Sequence, residues 1–198
     1  MTDDRASRDR VLDAATRLFA DRGYDGTSTR EIGRASGLNI ATVAYHVGAK
    51  ADLYREVMRR AHELEKAALT RAVDDLGKAE DLVEGAKTLV QRYLDFCLDH
   101  PHIPALWMRR WLSDAADITE PEAEYAWPLA GLVRDALETR RRELPVGFDT
   151  DMALWTVTWS IHGFCLGGVV EADGKRHREE EERYRRHLTE LVAKLLTA

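Results

Sequence analysis

Apolar residues recur at helical spacing from near the start of this chain to its end. After Ser7, the residues Val11, Leu12, Ala15, Leu18 and Phe19 share one face, and Asp21, Arg22 and Gly23 end that helix. A short helix opens at Ser28, which forms a capping box with Glu31. Ile32 and Ala35 give it an apolar side and Gly37 stops it, because Gly tolerates the left-handed conformation of a helix exit. Leu38 fits between helices, and Asn39 caps a third short helix over about 40–47 that carries Ala41, Thr42 and Ala44. From Lys50 to about Val73 there is no Gly or Pro, and Leu53, Val57, Ala61, Leu64 and Ala68 line one side. That predicts one long helix, ended by Asp74–Lys78.

Periodicity resumes with Leu82, Val83, Ala86, Leu89, Val90, Tyr93, Leu94 and Cys97, and His100-Pro101-His102 closes it. A short helix over about 103–115 carries Leu106, Trp107, Trp111 and Leu112. Thr119 and Glu122 form a second capping box, starting a helix to about Arg142 that Pro128 kinks or splits at Trp127. Leu144–Gly147 is a loop. Met152–Val170 is uncharged for nineteen residues. A final helix is charged to about Arg186 and then shows Leu188, Leu191, Val192, Leu195 and Leu196. No strand signal appears, so the expected fold is all-α.

Two short helices about a Gly turn make a helix-turn-helix, whose second helix enters the DNA major groove. Leu18, Phe19, Gly23 and Tyr24, then Thr27–Ile32, then Ala35–Asn39, then Val43, Tyr45, His46 and Lys50 follow in an order that resembles the DNA-binding segment of TetR-family transcriptional regulators. Val47 departs from the usual Phe, so packing beneath the recognition helix is lighter. Ala44 stands where many members have a polar or aromatic residue, which removes one groove contact. The resemblance implies a helix-turn-helix domain over 1–49 and a helical effector-binding and dimerisation domain over 50–198. It further implies a cytoplasmic homodimer that binds a near-palindromic duplex operator, acts as a repressor, and is released by a small, fairly apolar effector.

Charge alters this picture by its distribution. The net charge of −6 alone argues against a DNA binder. Residues 1–60, however, hold 11 Lys plus Arg against 9 Asp plus Glu, net +2, and the remainder 18 against 26, net −8. Arg5, Arg8 and Arg10 precede or open the first helix and are read either as phosphate contacts or as a solvated arm. Cys97 and Cys165 lack CxxC spacing and read as reduced core thiols. The N-terminus has no apolar stretch of a signal peptide. Met152–Val170 is rejected as a membrane span because Thr156, Thr158, Ser160 and His162 interrupt it and acids flank it. It is expected to be buried against its own domain and against a second copy. Gly163, Gly167 and Gly168 allow close helix approach, and helices of about 151–171 and 179–197 would pair with their copies as a four-helix interface.

Candidate DNA contacts are Ser28, Thr29 and Arg30 at a helix start that favours anions, Asn39, Ala41 and Thr42, Tyr45 and His46 by resemblance, and Lys50 as the leading phosphate contact. Apolar Ile40, Ala41 and Ala44 imply few base hydrogen bonds and a share of shape readout. All five tryptophans lie beyond residue 100. Tyr93, Phe96, Trp107, Trp111, Trp127, Trp155 and Trp159 are either ordinary core or the walls of an effector pocket. No metal site, cofactor or catalytic constellation is expected from the histidine spacing or from any nucleophile motif. Two other readings stay open: a redox or metal sensor using the cysteines or histidines, and a helical small-molecule binder with a vestigial head.

Overall fold

The structure, a computed structural model, describes residues 2–39, 42, 45, 47–172, 174–177 and 180–197. Eight α-helices are present among them, as the periodicity predicts. Most of the expected third helix, including Ile40, Ala41, Val43, Ala44 and His46, lies outside the described residues.

Helix α1 (Thr2–Arg22) begins earlier than expected, so Arg5, Arg8 and Arg10 lie on a helix and not in an arm. Arg8 Nη2 pairs with Glu56 at 2.9 Å, and Arg10 donates to Ser7 Oγ. Helix α2 (Thr29–Ser36) follows, then α3 (Lys50–Lys78), which continues through the predicted stop at Asp74–Lys78. Leu76 is fully buried and holds that last turn in the core, while Asp75 is paired with Arg92 of α4 (Leu82–Asp99).

Helix α5 (His102–Trp111) stops earlier than expected. Ser113 and Ala115 have φ of 76° and 55°, which a helix cannot continue through. Glu122 does not cap its helix from Thr119. Its carboxylate is held by Arg110, at 2.6 Å from Nε and 2.5 Å from Nη2. The expected split at Trp127 is present as a change of helix type. A π-helical turn over Glu122–Ala126 leads directly into α6 (Trp127–Thr139). The Trp127 N–H reaches back to the Glu122 carbonyl, a wider loop in the register next to a proline that has no N–H to give.

Helix α7 (Thr150–Gly167) starts on Asp149, whose carboxylate accepts from the Met152 N–H at 3.0 Å. The expectation of no strand needs one correction. Gly168, at φ 63°, breaks the helix, and Val169–Val170 pair antiparallel with Arg176–His177. Helix α8 (Glu181–Thr197) packs on α4.

Two apolar cores result. One gathers Val11, Leu12 and Phe19 of α1, Ile32 of α2, Leu53, Tyr54 and Met58 of α3, and Ile103 and Leu106 of α5. The other gathers the second half of α3 with α4, α6, α7 and α8. Helix α3 runs through both, about 44 Å at 1.5 Å per residue.

Candidate nucleic-acid interface and internal cavity

The head is built around the turn after α2. Ser28 Oγ accepts from the Glu31 N–H at 3.2 Å, and Glu31 Oε2 accepts from the Ser28 N–H at 2.9 Å. The Ser28 hydroxyl, donating to Glu31 Oε2 at 2.7 Å, and then the Ser28 N–H hold the Glu31 carboxyl below the usual range. Gly37 takes φ 71° at the helix exit, and the Leu38 N–H returns to the Gly33 carbonyl. Asn39 Oδ1 then accepts from both the Thr42 N–H and its hydroxyl, at 2.8 and 3.0 Å. This is the cap predicted for the next helix.

Thr29 is half-buried, Arg30 and Asn39 are exposed, and Tyr45 is 79% exposed. Ala41 and His46, named as DNA contacts from the sequence, lie outside the described residues. Lys50 sits at the start of α3 with its Nζ 4.0 Å from the centre of the Tyr24 ring, in a cluster with Phe19 and Tyr54. Val47 is half-buried against the same core.

The second core lines a partly open cavity of about 120 Å³. Of the seven residues predicted for a pocket, Tyr93, Trp107, Trp111 and Trp155 line it, while Phe96, Trp127 and Trp159 do not. Phe96 stacks on Tyr93 and meets the His100 ring at a tilt. Trp127 is 53% exposed beneath the Arg134 guanidinium, and Trp159 lies against Trp111 from outside.

The cavity also has a polar end that sequence reasoning missed. Glu65 accepts from the Tyr93 hydroxyl at 2.6 Å and from Trp107 Nε1 at 2.9 Å. Tyr93 Oη is 2.8 Å from His162 Nε2. Burial raises the Glu65 carboxyl above its ordinary value, against the opposing pull of those two donors. Burial also pushes His162 down to about 3, so it is neutral at pH 7. The legible signal for Glu65 is its place on the buried face of α3, in line with Ala61, Leu69, Ala72 and Leu76.

Cys97 and Cys165 are both free. Cys97 is raised by burial, and Cys165 is lowered by a hydrogen bond from the Cys97 thiol. Among the described residues no group of three His, Cys, Asp or Glu can hold a metal ion, and no helix is long and apolar enough to cross a membrane.

Helix α5 touches both regions. Trp107 and Trp111 line the cavity. Arg109 Nε donates to the Ala20 carbonyl at 2.7 Å, and its Nη2 to that of Asp21. Beyond the helix, Asp114 accepts the Tyr24 and Asp25 N–H groups at 2.6 and 3.0 Å. One helix thus packs against the cavity and clamps the end of α1.

Residues 11–57 match the family described as "Bacterial regulatory proteins, tetR family". The chain is 24% identical over 120 residues to "Probable HTH-type transcriptional regulator YttP" of Bacillus subtilis, covering 61% of this chain and 58% of that protein. It is 35% identical over 49 residues to the Staphylococcus epidermidis "Biofilm operon icaADBC HTH-type negative transcriptional regulator IcaR", covering 25% and 26% of the two chains. It therefore spans just over half of the first relative's length and about a quarter of the second's. The solved structure of the TetR family transcriptional regulator PfmR from Thermus thermophilus aligns with a TM-score of 0.72 at 18% identity, over 94% of this chain and 95% of that one. Residues 11–57 thus match the tetR family of bacterial regulatory proteins, and the chain as a whole shares the fold of the solved TetR-family regulator PfmR.

Proposed function

We propose that the protein is a homodimeric DNA-binding transcriptional regulator, acting as a repressor, that leaves its operator when the internal cavity binds a small molecule. Its working parts are a head over 1–49 and an effector-binding and dimerising part over 50–198. Exposed Tyr45, the capped start of its helix, and Lys50 supply the DNA face, with Ser28, Thr29 and Arg30 offering a helix start to phosphate. Two heads read a near-palindromic site with half-sites about one DNA turn apart, or a multiple of it.

The observation that carries this reading is the double engagement of α5. Trp107 and Trp111 bound to an effector shift the helix that holds the end of α1 through Arg109, and with it Asp114, which holds the turn after α1. The effector acts only through its different affinity for the two arrangements. The dimer is supported by α7, which leaves Met152 and Trp159 exposed at 61% and 45%. Buried in a partner's matching helices α7 and α8, such a face would form a four-helix interface.

The test is selection of randomised duplex DNA on the purified protein, with the Tyr45→Ala plus Lys50→Ala double variant as control. A palindromic site recovered by the native protein and not by the variant is the expected result. No enrichment over the variant, with or without ligands, counts against DNA binding by this head.

A further inference from the structure

We propose that the cavity selects a lipophilic amine in its protonated form, with the ammonium at the Glu65 end and the hydrocarbon among the tryptophans. This rests on the reading of the cavity as the effector site and names the chemistry that site accepts.

Charge is the first argument. The residues lining the cavity include one acid, Glu65, and neither Lys nor Arg. The hydrogen-bond partners of Glu65 are both neutral, the Tyr93 hydroxyl and the Trp107 indole. A buried carboxylate with neutral donors alone is expensive, and a cation brought in by the ligand removes the deficit. A ligand carboxylate or phosphate would meet no counter-charge in the same walls.

The walls give the second argument. Trp107, Trp111 and Trp155 line the cavity, and the Trp111 and Trp155 rings meet edge to face with centres 5.3 Å apart. Indole faces attract an ammonium once it has left water, and they accept the hydrocarbon equally well.

The third argument is the proton inventory of the relay. Tyr93 has one hydroxyl proton and two partners, Glu65 and His162. When Glu65 is ionised, Tyr93 donates to it, and neutral His162 must donate from Nε2 to the Tyr93 oxygen. His162 Nδ1 is then a bare acceptor. It is buried, His162 lines the cavity, and Nδ1 has no hydrogen-bond partner among the described residues. In this proposal it is the acceptor offered to an ammonium N–H. With Glu65 protonated the relay runs the other way, Nδ1 carries the proton, and no ammonium can bond there. The cation and the ionised relay therefore stabilise each other.

The experiment uses the full chain and its tryptophan fluorescence, titrated with phenylpropylamine, phenylpropanol and phenylpropanoate, which share a skeleton and differ in head group. The native protein is expected to bind the amine at least about tenfold more tightly than the alcohol, with the carboxylate weakest. Glu65→Gln keeps one acceptor oxygen, for the Trp107 indole, and its amide NH2 can donate to the Tyr93 oxygen, which then donates to His162. It should cost the amine about tenfold and leave the alcohol within about twofold, so alcohol binding also reports that the variant is folded. Should Glu65→Gln fail to fold, the order of the three ligands on native protein decides. A carboxylate that binds as tightly as the amine overturns the proposal, and so does an amine preference that survives in Glu65→Gln. If none of the three perturbs the tryptophans, the effector-site reading falls, and this inference with it.

Discussion

Arg109 of α5 holds the end of α1, with its Nε 2.7 Å from the Ala20 carbonyl oxygen. The same guanidinium reaches the Asp21 carbonyl. A cation at the end of α1 satisfies carbonyls that have no partner within the helix and meets the negative end of its dipole. Because Arg109 lies between Trp107 and Trp111 in sequence, the residue that caps the head is carried by the helix that walls the cavity.

Arg109→Ala should therefore separate ligand binding from DNA release. Lost charge-assisted bonds of this kind cost about 1–2 kcal/mol, a fall of roughly 2–8 °C in Tm for a chain of this size. Ligand titrations followed by tryptophan fluorescence should be unchanged. The ligand-induced loss of operator affinity, read by anisotropy of labelled operator, should shrink. An undiminished ligand effect would exclude this contact as the link.

Gly23 lies at the same end of α1. Its φ is 81°, and a Cβ there would sit 2.8 Å from Asp114 Oδ1. Gly23→Ala combines left-handed strain with displacement of the carboxylate that holds the Tyr24 and Asp25 N–H groups. We expect a loss of about 2 kcal/mol and a Tm lower by roughly 4–8 °C in thermal denaturation. Gly37→Ala is the control: it carries the strain of φ 71° with nothing within 4 Å, and should cost less.

The helices were legible because their apolar stripes are long and regular, and the head because Ser28, Glu31, Gly37 and Asn39 act locally. What escaped the sequence depends on contacts far along the chain. Glu122 reads as a cap for Thr119, yet Arg110 takes its carboxylate. Asp74–Lys78 reads as a terminator, yet Leu76 is buried against the other helices of its core. Glu65 falls on the apolar face of α3, but its role depends on Tyr93 and Trp107, which arrive from two other helices. The tryptophans left core and pocket walls both open, and Trp127 and Trp159 do not line the cavity, since composition gives no direction to a side chain.

His162 should leave a signature in the acid stability of the fold. Burial holds it near 3, against about 6.5 when unfolded. The unfolded chain takes up this proton first, so the stability owed to neutral His162 is complete above pH 6.5 and is lost as pH falls toward 3. The loss approaches about 1.4 kcal/mol per pH unit. Glu65 works in the opposite sense, because its raised carboxyl favours the folded state as pH falls. Comparison with His162→Gln cancels what both proteins share. The native protein should lose stability more steeply than the variant between pH 6.5 and 5 in urea titrations. Parallel slopes would mean that His162 titrates as in the unfolded chain.

The proposed dimer makes a prediction at Gly163. This glycine lies on α7 at helical spacing from Met152, Thr156 and Trp159, and a Cβ built on it meets nothing within 4 Å. Within one subunit the position therefore has room for a side chain. Replacing Gly in a helix interior gains up to about 1 kcal/mol of helix propensity, so Gly163→Leu should leave the subunit fold intact or firmer. A partner helix crossing at this stripe would be pushed off by the same side chain, at about 1–3 kcal/mol for an overfilled contact. Sedimentation equilibrium should then show self-association weakened about tenfold or more, while circular dichroism of the dilute protein shows no loss of helix. Weakened association together with lost helix would indicate a damaged fold instead. Unchanged association would move the interface away from α7, because no close helix contact at Gly163 can admit a leucine without cost.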